Sequence, residues 1–158
     1  MKKIVLSLVF LAATLTASAQ FEKGTKYVSA RLSGLDMSYS DQQNFQLGIE
    51  AVGGYYLWDN VMATGEIGYK HTEQTDFFNI GIGARYSFVQ NGVYLGAGVN
   101  YEHQNPNFNN LYITPEVGYT FYVNHYVAIE PALYYKMSLN DFAHGSRVGL
   151  KIGASVYF

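Results

Sequence analysis

The side chains best suited to chemistry are charged and share rows with glycines. Arg31, Lys70, Arg85, Lys136, Arg147 and Lys151 are the basic members; Glu50, Glu66, Glu102, Glu116 and Glu130 are the acidic ones. Such a set can line a charged passage for ions, or its members can neutralise one another in an enclosed space. The near balance of sign suits pairing, because an unpaired buried charge costs several kcal/mol. His71 and His103 stand apart from acidic clusters and are expected to be ordinary polar caps rather than metal ligands. Asp59, Asp76 and Asp141 are expected to be turn residues. The chain has no cysteine, so disulfides and thiol catalysis are excluded. No cofactor is expected.

Holding those charges on one face requires strands. In the stretch Arg147 to Phe158, the residues Val148, Leu150, Ile152, Ala154, Val156 and Phe158 alternate with Arg147, Gly149, Lys151, Gly153, Ser155 and Tyr157. A period of two is that of a strand with one apolar and one polar face. The length matches the roughly 9–11 residues a tilted strand needs to cross a bilayer.

The same alternation recurs along the chain. It begins between Lys23 and Tyr39, where a phase change predicts a bulge near Gly34. It continues over 45–57, 61–71, 78–88, 93–101, 111–121 and 127–137. Short turns are expected at Trp58-Asp59-Asn60, at Gln90-Asn91-Gly92 with its Asn-Gly pair, and at Asn124-His125. Polar loops are expected at 40–44, 72–76, 104–110 and 140–145. Pro115 and Pro131 fall inside strands, each removing a ladder donor, and predict local bulges. About eight strands result, with alternating short and longer connections. This is the pattern of a closed, antiparallel, up-and-down all-β transmembrane barrel.

The glycines decide which face is inside. Gly48, Gly54, Gly68, Gly81, Gly83, Gly96, Gly98, Gly118, Gly149 and Gly153 share the face of the charges. Glycine weakens a strand and gains nothing on a solvated exterior. On the cramped inside of a small barrel it makes room for large polar side chains. The polar face therefore points inward, and the apolar face points at lipid. Aromatic residues near the strand ends fit interface girdles.

Lys2 and Lys3 precede an apolar run from Ile4 to Leu15 and the Ala17-Ser18-Ala19 pattern. The run is well below the ~20 residues of a spanning helix, so residues 1–19 are expected to be a signal peptide cleaved between Ala19 and Gln20. Residues 20–158 are then one barrel domain. Without Lys2 and Lys3, the ten basic residues fall by two against twelve acidic ones, a net charge of −4. That balance offers no basic patch for nucleic acid.

The whole mature pattern resembles the eight-stranded OmpA/OmpX type of outer-membrane barrel, although long protruding loops are missing. In such barrels the closing strand ends on an aromatic residue read by the barrel-assembly machinery. The resemblance thus assigns an assembly signal to Phe158, with Val156, Ala154 and Ile152 in the same row. It implies an integral protein of the Gram-negative outer membrane, with both termini periplasmic and with lipids and lipopolysaccharide as neighbours. An extracellular partner is not specified. The expected function is a non-enzymatic barrel with a salt-bridged, closed lumen, in an envelope-structural or surface-interaction role. The alternative is a narrow pore or carrier for small or apolar solutes. His144-Gly145-Ser146 also resembles the His-x-Ser of outer-membrane lipid A deacylases, in which a downstream carboxylate orients the His. No acidic residue follows Ser146 here, so hydrolysis is the weakest expectation.

Overall fold

The computed structural model describes residues 21–38, 47–72, 75–104, 108–139 and 146–158. The proposed leader, residues 39–46, Asp141, His144 and Gly145 lie outside them. The strands are β1 (Lys26–Ser38), β2 (Leu47–Trp58), β3 (Val61–Thr72), β4 (Thr75–Ser87), β5 (Val93–Gln104), β6 (Phe108–Tyr119), β7 (Phe121–Tyr122), β8 (Val127–Ser138) and β9 (Arg147–Tyr157). β7 continues the line of β6 past Thr120, and both pair with β8 in one register. The order is β6-β5-β4-β3-β2-β1-β9-β8, with β6 pairing back onto β8. Eight antiparallel staves therefore close into a barrel without a free edge, which removes the exposed ladder of an open sheet.

Burial is inverted relative to a water-soluble protein. Ile82 is 74% exposed and Ile152 58%, while Lys151 is 6% exposed and Arg85 2%. Leaving such aliphatic side chains in water would forgo roughly 1.5–3 kcal/mol each. A continuous apolar belt of this kind belongs in lipid.

Several details depart from the sequence expectations. The bulge near Gly34 is present, since the β1–β9 register shifts between Ser33 and Leu35. A second, unexpected one lies between Tyr56 and Trp58, just before the turn in which Asn60 adopts φ 68°. The Asn91-Gly92 hairpin is wider than a two-residue turn: the Phe88 N–H donates to the Val93 carbonyl, and only Gly92 takes positive φ. The loops expected over 72–76 and 104–110 are shorter, because β4 starts at Thr75 and β6 at Phe108.

Neither proline makes a bulge. Pro115 keeps register with Ala97, and Pro131 with Ile152. Instead, the β6–β8 ladder skips Thr114 and Pro115 between its Ile113↔Met137 and Glu116↔Tyr134 pairs. A residue in an antiparallel strand turns both its N–H and its C=O toward one neighbour. A proline facing β6 or β8 thus weakens that seam alone. Two further glycines, Gly53 and Gly65, pair with each other on the lipid side, where an added Cβ would meet nothing.

Candidate functional site

All eleven predicted charges sit on strand positions whose side chains point into the barrel, where they form three groups at different heights. The first lies toward the short turns and is built around Arg85 on β4. Its Nη2 is 2.5 Å from Glu130 Oε1 on β8, 2.8 Å from Thr120 Oγ1 and 3.1 Å from the Tyr157 hydroxyl. The guanidinium lies 3.5 Å from the centroid of the Tyr94 ring. Glu130 also accepts hydrogen bonds from Tyr27 at 2.5 Å, from Tyr157 at 2.6 Å and from Thr120 at 3.0 Å. A charge is tolerated away from water only when paired and hydrogen-bonded, and this carboxylate is surrounded by donors.

Glycines set the spacing. A Cβ on Gly118 would lie 2.4 Å from the Tyr94 ring, and one on Gly96 would lie 2.7 Å from Glu116 Cγ. Each large side chain rests on a bare backbone floor, and neither floor accepts even a methyl group without a shift.

Beyond Arg85, toward the turns, the lumen becomes aromatic. Phe21 packs at 5.9 Å from Tyr56 and at 6.1 Å from both Tyr122 and Tyr157, measured between ring centroids. The segment carrying it is pinned across the mouth: the Asn60 N–H donates to the Phe21 carbonyl at 2.7 Å, and that of Gly24 to Tyr56 at 2.9 Å. Lys26 and Phe158 exchange backbone hydrogen bonds at the same end.

In the middle of the barrel, Glu116 pairs with Lys151 and stands 3.8 Å from Arg31. Arg31 also donates to the Tyr27 hydroxyl at 3.2 Å, linking this layer to the one below. Glu66 accepts from Asn100. Toward the loops, Glu102 takes Arg147 at 2.9 Å and Lys136 at 3.5 Å. Tyr112 and Tyr134 pack beside those cations. Glu50 accepts from Ser33 at 3.3 Å, and Lys70 lines the same region.

The remaining candidates lie elsewhere. His103 is exposed on the outer wall, 2.7 Å from Asn109 Oδ1. Ser146 is half-buried just before β9, with His144 outside the described residues. Ile152, Ala154 and Val156 on β9 and Phe158 just after it form an exposed row. Among the described residues, no group of three or more His, Asp or Glu side chains could hold a metal.

Tyr27, Tyr56, Tyr94 and Tyr157 alternate in step with the charged and glycine residues of their strands, and the sequence expectations give them no role. Tyrosine in a polar row was the available signal for a buried hydroxyl. Phe21 precedes the first strand and carried no signal.

No protein-family profile matches the sequence, and no curated protein is similar enough to count as a relative. Solved structures do match. The N-terminal β-barrel domain of Pseudomonas aeruginosa OprF superposes with a TM-score of 0.68 at 15% identity, covering 86% of this chain and 98% of that one. Neisserial surface protein A gives 0.65 at 18% identity, with coverages of 86% and 98%. A de novo designed transmembrane β-barrel gives 0.57 at 14% identity, with coverages of 87% and 98%. The fold is thus that of the small eight-stranded transmembrane barrels.

Proposed function

We propose that the protein is a non-enzymatic integral barrel of the outer membrane, closed to solutes, that serves the envelope as a structural or surface-interaction element. The observation that carries this reading is the stack formed by the Arg85–Glu130 layer and the aromatic layer of Phe21, Tyr56, Tyr122 and Tyr157. Together they put buried side chains across the lumen at one end, with Tyr122 half-buried beside them. Around eight strands, a barrel interior is just wide enough for side chains to fill. The end that gathers the short turns, Phe21 and Phe158 is assigned to the periplasm, as in an up-and-down barrel with an even number of strands.

Planar-bilayer recording of the refolded protein tests the reading. The expected result is a baseline without steady conductance; ohmic current through the unmodified protein would overturn it in favour of a narrow pore.

A further inference from the structure

The chain ahead of β1 is folded back over the turn-end mouth. Thr25 donates its N–H to the Glu22 carbonyl at 3.1 Å, closing a four-residue turn in which Gly24 takes φ 97°. Positive φ at the third residue of a turn is a glycine position, because a side chain there is strained. Space is not the constraint: the nearest contact of a Cβ on Gly24 would be the Tyr55 hydroxyl, at 3.9 Å. The backbone angle lets Phe21 lie across the lumen while β1 leaves along the wall.

Of residues 21–25 only Phe21 is buried, and Glu22, Lys23 and Gly24 are exposed. The segment enters no ladder, since β1 begins at Lys26. Three N–H···O bonds fasten it to the end of β2 and the turn that follows. Asn60 donates to the Phe21 carbonyl at 2.7 Å, Lys23 to Asp59 Oδ1 at 2.9 Å, and Gly24 to the Tyr56 carbonyl at 2.9 Å. A fourth, from Tyr56 to the Thr25 carbonyl at 3.0 Å, lies on the β1 side of Gly24. The turn has support of its own, because the Asn60 carbonyl accepts from the Ser87 N–H of β4 at 2.9 Å. So does β1, through the exchange between Lys26 and Phe158.

The Phe21 ring rests on Tyr56, Tyr122 and Tyr157, and Tyr157 donates its hydroxyl to Glu130 at 2.6 Å. The segment is thus a cover laid on the ion-pair layer. A stretch with one buried side chain and no ladder opens at a lower free energy than the strands around it.

We propose that residues 21–25 form a hinged lid on the lumen. Gly24 is its hinge, the β2–β3 turn its catch and Phe21 its seal, and it swings free of an intact barrel to uncover the three tyrosine rings. The inference rests on the closed-lumen reading and divides that closure into a movable cover and a fixed layer of Arg85 and Glu130 beneath it.

Amide hydrogen exchange of the folded full chain in micelles, read residue by residue by NMR, tests the lid. The Asn60 and Gly24 amides, which bridge lid and catch, should exchange together and faster than those of Ser87 and Lys26. Gly24→Ala should speed exchange at Asn60 roughly tenfold, the cost of holding a residue with a Cβ at positive φ. Phe21→Ala, which keeps the hinge and loses the seal, should speed the same amide. Neither variant should change Ser87 or Lys26, and neither should conduct.

Equal exchange at Asn60 and Ser87 in the parent would overturn the lid, since turn and cover would then open only as one body. An Asn60 rate unmoved by both substitutions would overturn it as well. Either result leaves a silent barrel closed. Steady current through the parent would instead bring down the closed lumen and the fixed layer, and steady current through Gly24→Ala alone would overturn the division into two layers.

Discussion

The two ends of the lumen handle buried charge differently. Near the short turns, one carboxylate, Glu130, is held by Arg85 and by the hydroxyls of Tyr27, Tyr157 and Thr120, all buried. Near the loops, one carboxylate, Glu102, is shared by two cations, of which Arg147 keeps part of its contact with solvent. Both arise from the same sequence feature, a charge in the polar row of a strand. What separates them is how much solvent the cation keeps: the Arg147 side chain is 17% exposed and the Arg85 side chain 1%. Where solvent is nearly excluded, protein hydroxyls must surround the carboxylate; where some remains, two cations are enough.

That contrast is most exposed by removing one partner at the turn end. Arg85→Ala leaves Glu130 buried without its cation and should cost on the order of 3–5 kcal/mol in urea unfolding. Arg85→Met combined with Glu130→Gln should recover much of that loss, since the glutamine still accepts from the tyrosines. A parental urea midpoint for Arg85→Ala would mean that Arg85 does not hold this cluster together.

A smaller loss is expected from Gly118→Ala, about 1–3 kcal/mol. The added methyl group displaces the Tyr94 ring from its place over Arg85. Gly65→Ala, facing open space on the lipid side, is the control and should unfold at or slightly above the parental midpoint. Equal destabilisation of the two would show that the interior floor is not tight.

The least effect belongs to the loop end. Glu102→Gln keeps a hydrogen-bond acceptor for Lys136 and Arg147 and removes only the charge. A loss smaller than that of Arg85→Ala is expected, because the Arg147 side chain keeps 17% of its surface exposed. A loss matching that of Arg85→Ala would erase the distinction between the ends.

Much of the architecture was legible because alternation is local. Each strand announces its two faces within a dozen residues, and the glycines sharing a row with charges point that row inward. The pairing was not legible. Arg85 and Glu130 sit on β4 and β8 and meet across the barrel because of its stagger, which no local pattern encodes. The prolines misled for a related reason. A missing N–H reads as a local defect of the strand, yet only the seam it faced was affected. Phe21 was invisible because one aromatic residue outside any periodic stretch has no pattern to belong to.

The perforated β6–β8 seam has a mechanical consequence. The cylinder closes along β1–β9, where pairing runs from Tyr27 to Ser38, and along β6–β8, where it skips the positions of Pro115 and Pro131. Lateral pressure from a bilayer acts on all staves alike, but a hoop yields at its weakest joint. Ovalisation of the wall would hinge along β6 and β8, the first of which carries Glu116 and the second Glu130. Any breathing of this barrel would therefore be felt by both carboxylates at once, and last of all by the joint that ties the two ends of the described barrel together.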